Sequence, residues 1–233
     1  MKKISIVIFI VLVCNISFGL YAKNTYKDCG VAAFNTVDEA LGLNPNINQI
    51  FTEDDVDLFI SDIKKRIDTI ADDVLVLVVQ PTGKMKQYGF SSVQEVSILS
   101  VLRGDVSTEN SIEIASIGGG GVYSQEYAYY DYSNERPVLF GMVNVLLPEK
   151  EYLVFLTPLK LNSITTSPYY RYAWSPQSSF RISDDYSVAV NKTASDTSYE
   201  EFKGSEFFCD TEETVNKLLQ LKHTVVARYL ANP

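Results

Sequence analysis

The hydrophobic pattern is densest over Asp73–Gln80, a nearly unbroken apolar run rich in valine and leucine, the composition of a strand buried on both faces. Val93 to Leu102 is longer and mixes apolar with small polar residues, as a strand does when it bends from core towards surface through a bulge. With Pro81 to Gln87 as the turn between them, Asp73–Asp105 reads as the first hairpin of a β-barrel. Ser111–Ile117 follows as a third strand with Ile112 and Ile114 on one face. Val138–Leu147 is again apolar, and Pro148-Glu149-Lys150-Glu151 turns the chain into Tyr152–Leu156, a compact central strand. Short aromatic pieces at Tyr169–Trp174, Phe180–Ile182 and Tyr186–Val190 predict short strands, with Trp174 and Phe180 as packing anchors.

The helical period brackets this strand-rich middle. Val56, Phe59, Ile60, Ile63, Ile67 and Ile70 recur at steps of three and four after a capping Thr52, and Glu53, Asp54 and Asp55 occupy the positive end of the helix they predict. That apolar face requires a partner, and the strand beginning almost at once supplies it. A last helix starts near Thr211, with Glu212 and Glu213 in its first turn and a broad apolar set from Val215 to Leu230. Val37–Leu43 predicts a short helix in an otherwise irregular lead-in. Lys192–Gly204 is polar and reads as a surface connection. The resulting expectation is an α+β, β-rich fold: an OB-like five-stranded β-barrel with an amphipathic N-terminal helix and a C-terminal helix.

The first residues join Lys2 and Lys3 to an apolar run from Ile4 to Val13, then to small residues near Ser17, Gly19 and Ala22. This is the three-part pattern of a secretory signal peptide, residues 1–22, and it predicts an exported protein. Asn15 and Ser17 interrupt the run before the ~20 residues a membrane span needs. Cys14 raises lipoprotein anchoring as an alternative, against which Val13 stands where such sites have a small residue. Residues 23–233 are expected to form one globular domain: lead-in and helix to 72, barrel core 73–191, then linker and C-terminal helix. Loss of the two lysines leaves 18 basic against 29 acidic residues, a formal charge of −11. Such a chain does not hold a phosphate backbone by counter-ion release, so nucleic acid is excluded as the expected partner.

Two cysteines remain beyond the signal, Cys29 and Cys209. In an exported chain they are either a disulfide closing a very long loop, worth about 4–5 kcal/mol in a chain-entropy account, or two separate thiols. Neither their spacing nor the single histidine, His223, makes a zinc site. Asp54, Asp55 and Asp57 lack the loop spacing of a calcium site, and the helix dipole accounts for them. Gly118–Gly121 leaves a strand without the helix, Lys and Ser or Thr of a phosphate loop. Arg103-Gly104-Asp105 matches an adhesive tripeptide, but also an ordinary turn. Asn191-Lys192-Thr193 forms a glycosylation sequon, relevant only in a glycosylating host. No cofactor or metal is indicated.

The segment of most unusual composition is VYSQEYAYYDYSNERP, in which Tyr123, Tyr127, Tyr129, Tyr130 and Tyr132 stand among Ser, Gln, Glu and Asp. Tyrosine offers a flat apolar face with a hydroxyl at its tip, suited to sugar rings or a protein partner. The competing reading is an aromatic lid, or an extra hairpin, packed on the barrel by alternate tyrosines.

The order ADDVLVLVV, VLRGD, IEIASIGGGG and LPEKEYLVFL, over Ala71–Leu156, resembles netrin-module and tissue-inhibitor-of-metalloproteinase-like domains and exported bacterial proteins of similar plan. The resemblance implies a five-stranded OB-like barrel. The zinc-chelating N-terminal cysteine of the inhibitors has no counterpart, because Cys29 stands several residues past the expected cleavage point. The functional expectation is an exported, non-enzymatic binding or interaction protein acting on an unidentified protein or carbohydrate at the cell envelope or in the medium. Two alternatives stand beside it. One is an extracytoplasmic hydrolase using paired carboxylates, which would need a concave pocket holding two close carboxylates with opposed pKa shifts. The other is an adhesive or structural surface protein.

Overall fold

Thr36, Thr52 and Thr211 each stand in extended backbone just before an acidic first turn, and each hydroxyl accepts the amide of the residue three further on. They begin the three α-helices found among the described residues of a computed structural model, which are 34–88, 91–107, 111–117, 121–123, 138–159, 169–174, 178–192 and 197–231. In chain order the elements are α1 (Val37–Gly42), β1 (Asn46–Ile47), α2 (Glu53–Asp68), β2 (Leu75–Tyr88), β3 (Ser91–Arg103), β4 (Ser111–Ile117), β5 (Gly121–Tyr123) and β6 (Val138–Phe140). They continue with β7 (Tyr152–Pro158), β8 (Tyr169–Tyr172), β9 (Ser179–Arg181), β10 (Val188–Ala189), a 3-10 turn (Tyr199–Phe202), β11 (Phe208–Cys209) and α3 (Glu212–Leu230). All described residues belong to the unit Ala32–Pro233.

Five strands close a barrel in the order β2-β3-β4-β8-β7, with β7 returning to pair β2, and β9 extends it beside β7. Counted along the chain, that is first-second-third-fifth-fourth, antiparallel except where β4 meets β8 in parallel. The fold is therefore the expected OB-like five-stranded barrel flanked by helices. The double-sided apolarity of β2 and β7 follows from their position. Leu75, Leu77, Val79, Val154 and Leu156 fill the barrel with Val96, Ile98, Ile112, Ile114 and Tyr170. The alternate residues Val76, Leu153 and Phe155 face outwards and pack with Val56, Phe59, Ile63 and Ile67 of α2 and with Val215, Leu218 and Leu221 of α3. Phe155 anchors this second layer, stacked on Trp174 at 4.8 Å and edge-on to Phe180 and Tyr229.

Helices α2 and α3 run parallel. A parallel bridge between Phe51 and Cys209 precedes both; Asp57 meets Lys217 at 3.2 Å near their starts, and Asp68 meets Arg228 at 2.6 Å near their ends. A third apolar cluster joins Phe34 and Val37 to Met85, Leu139, Val145, Tyr199, Phe202 and Phe208.

Two expectations are corrected. Pro81–Gln87 is not a turn: β2 runs on to Tyr88, and the register slips where Pro81 opposes Val96 but Met85 opposes Gln94. Two extra residues bulge there, with Gly83 at φ +86° and the Thr82 hydroxyl donating to the Glu95 carbonyl at 3.2 Å. Lys192–Gly204 is not wholly a surface connection, since Tyr199 and Phe202 are buried in the third cluster. The disulfide weighed for Cys29 and Cys209 is not shown: Cys209 is a free, buried thiol of β11, while Cys29 lies outside the described residues.

Candidate functional site

The tyrosine-rich segment is held at its two ends by one short ladder. β5 pairs β6 antiparallel, Gly121 with Phe140 and Tyr123 with Val138, so the chain leaves and re-enters the body at adjacent backbone positions. Beyond the ladder, β6 pairs β1 in parallel, and Leu139 is fully buried against Phe34, Met85 and Phe208. Of the five tyrosines only Tyr123 has its backbone placed, as the last residue of β5; Tyr127, Tyr129, Tyr130 and Tyr132 lie outside the described residues.

The ionisable groups that the structure does bring together surround the dipeptide Asp184-Asp185, between β9 and β10. Asp184 accepts from Lys150 at 2.6 Å and from Arg181 at 2.8 Å. Asp185 contacts Lys222 of α3 at 3.0 Å and His223 at 2.7 Å. Lys222 also reaches Glu206 at 2.9 Å and donates to the Asp184 carbonyl, and the second Glu206 oxygen accepts the Arg181 amide at 2.7 Å. The Arg181 guanidinium lies 5.9 Å from the Tyr152 ring centre, a cation–π distance. The Tyr152 hydroxyl accepts the Leu147 amide at 2.9 Å.

Burial and pairing divide these carboxyls. Burial would raise Asp184, but its bonds to Lys150 and Arg181 outweigh that and hold it well below the usual carboxylate range. Lys222 and His223 hold Asp185 down despite some burial. Glu206 goes the other way, because its burial exceeds the pull of Lys222 and Arg181. Burial also pushes the Tyr152 hydroxyl up to about 12. Two carboxyls with opposed shifts thus bracket Arg181, the titration pattern expected of an acid–base pair. The cluster is closed to solvent: Glu206, Arg181 and Lys222 are each at most 2% exposed, Glu206 is bonded to the Lys222 ammonium and the Arg181 amide, and Nε and Nη2 of Arg181 are buried with no hydrogen-bond partner among the described residues. With Glu206 buried and both of its oxygens bonded, the arrangement locks α3 and β9 together.

The other described features divide similarly. The barrel interior is filled by side chains, and Gln94 is spent within it, donating to the Leu146 carbonyl at 2.8 Å and accepting its amide at 3.0 Å. A shallow groove of about 150 Å³ lies between α2 and α3, lined by Ile60, Lys64, Lys217, Gln220, Leu221 and Thr224. Burial, then the neighbouring Asp210 and Glu212, raise the Cys209 thiol far above its ordinary pKa, which keeps it unreactive. Arg103 of the adhesive-like tripeptide is turned back onto the end of α2, donating to the Ala71 carbonyl at 3.2 Å and pairing with Asp72 at 3.4 Å. At the acidic start of α2, Asp55 accepts the Thr52 hydroxyl at 2.8 Å.

Sequence reasoning missed the buried ionic cluster. Its signal was weak: Lys222 sits one residue from His223 on a helix face otherwise occupied by Leu218, Leu221 and Val225, while its acidic partners come from two distant segments. No family model matches the chain, and comparison with curated proteins finds no match.

Proposed function

We propose that the protein is exported and acts by non-enzymatic surface recognition, with the Tyr123–Tyr132 segment as its binding element. The observation that carries this reading is the β5–β6 ladder, which fixes both ends of the segment side by side on the barrel. A short ladder at the base lowers the ordering cost of whatever lies beyond it, as the rigid frame beneath a binding loop does. The aromatic and hydroxyl content of the segment suits a carbohydrate or a polar protein surface. The bonded, inaccessible state of the described ion cluster favours binding over a hydrolase. Kinship with netrin-module and metalloproteinase-inhibitor-like domains belongs to the same proposal: the strand order supports it, without the inhibitors' chelating cysteine.

The test replaces Tyr123, Tyr127, Tyr129, Tyr130 and Tyr132 with serine and compares both proteins on an array of defined oligosaccharides and against fractionated envelope material. Loss of retention at unchanged melting temperature supports the proposal. Equal retention by the variant removes the segment from consideration.

A further inference from the structure

The outward side of α2 has a pattern that its inward side does not explain. Val56, Phe59, Ile63 and Ile67 are buried against the barrel. On the opposite side Asp54, Leu58, Ser61 and Lys65 follow one another at steps of four, three and four, which sets them in one stripe along the helix. All four are exposed, and Leu58, at 74%, is the most exposed of the large hydrophobic residues described.

The charges of this stripe differ from those beside it. Asp57, Asp62 and Asp68 are taken up by Lys217, Arg66 and Arg228. Neither Asp54 nor Lys65 forms an ion pair among the described residues. The stripe therefore has an uncommitted acid at one end, an uncommitted base at the other, and an apolar side chain next to a small one between them.

That sequence is complementary to itself reversed. Two copies laid antiparallel about a two-fold axis place Asp54 against Lys65 at both ends, and Leu58 against Ser61 on both sides of the axis. Each leucine then meets a small residue rather than another leucine. This is the property an isologous interface requires, since one patch must serve as both partners. Parallel α3 adds to the polarity, with Glu212 and Glu213 at the acidic end and Arg228 at the other. From this charge and shape complementarity we propose that the α2 stripe is a homodimer interface, its occupant being the same stripe of a second copy.

The experiment is sedimentation equilibrium on the full chain, mature after any processing, over a range of concentrations. A monomer–dimer equilibrium is expected, and Leu58→Asp should weaken it by about a hundredfold, because two leucines are lost per dimer. Asp54→Lys and Lys65→Asp should each weaken it several-fold, while the double exchange restores affinity to within about twofold of the original, the signature of a direct pair. Circular dichroism should hold constant throughout, and melting temperature should change little for Leu58→Asp; Asp54→Lys and Lys65→Asp reverse charges at the two ends of the α2 dipole and should each lower it by no more than about 4 °C, which separates a lost interface from a lost fold. A chain that stays monomeric up to about 1 mM, or a dimer that Leu58→Asp leaves intact, overturns the proposal.

Discussion

Replacing Lys222 with Met tests whether the buried ionic cluster is a structural clasp. Lys222 is buried on α3, so methionine retains most of its apolar volume while removing the ammonium. What remains is Glu206, 2% exposed, with one oxygen on the Arg181 amide and the other stripped of its cation. Removing one member of a buried pair costs about 3–5 kcal/mol, mostly for the charge left behind. The urea midpoint should therefore fall by at least about 1 M. Adding Glu206→Gln should recover more than half of the loss, because a neutral amide still accepts the Arg181 amide without an uncompensated charge. The pH dependence has a definite sign. Glu206 is already raised in the fold, and without Lys222 it rises further, so its protonated form favours folding and the variant should regain stability as pH falls from 7 towards the unfolded value of about 4.3. Urea titrations of wild type, both single variants and the double variant at pH 7 and pH 5 supply the whole cycle. A Lys222→Met cost below about 1 kcal/mol, or a double variant as unstable as the two single losses summed, would refute the reasoning.

Three further outcomes follow from the same geometry. Asp184 is held down by Lys150 and Arg181, so its contribution is present above the unfolded pKa of about 3.9 and disappears as pH falls below it; Asp184→Asn should lower the melting temperature at pH 7 and flatten its decline below pH 4, measured by calorimetry. Gly104 sits at φ +98°, and a Cβ there would lie 2.1 Å from the Leu75 side chain, so Gly104→Ala should cost about 1–3 kcal/mol in a urea titration through strain and overpacking. Cys209 should remain unmodified by maleimide in the native protein and react fully in urea, as read by peptide mapping, because its thiol is buried and its pKa raised.

The barrel was legible where burial writes a period into the chain. Val74–Val79 is apolar throughout because Leu75, Leu77 and Val79 line the interior while Val74 and Val76 meet the helices, and Ser111–Ile117 was legible at its observed limits. The helices were legible because Thr52 and Thr211 announce their starts with the acids that follow. The bulge after Pro81 was not, since Pro, Thr and Gly in succession carry the local signature of a turn, and only Met85, fully buried, marks the strand that continues beyond. Tyr199 and Phe202 were hidden by their polar neighbours; a 3-10 turn buries two residues of four without any long period. The ionic cluster was the least legible of all. Its members come from Lys150, the Arg181–Asp185 stretch, Glu206 and α3, and only tertiary closure makes them neighbours. The tyrosines stand out by composition alone; what the fold adds is the ladder that holds the two ends of their segment.

The measurement that bears most directly on the function is quantitative retention of defined oligosaccharides and envelope fractions by the wild-type protein and by the variant with serine at Tyr123, Tyr127, Tyr129, Tyr130 and Tyr132. The account predicts retention by the first and at least a tenfold loss, about 1.4 kcal/mol, in the second, with both melting at the same temperature. Undiminished retention by an equally stable variant would contradict it.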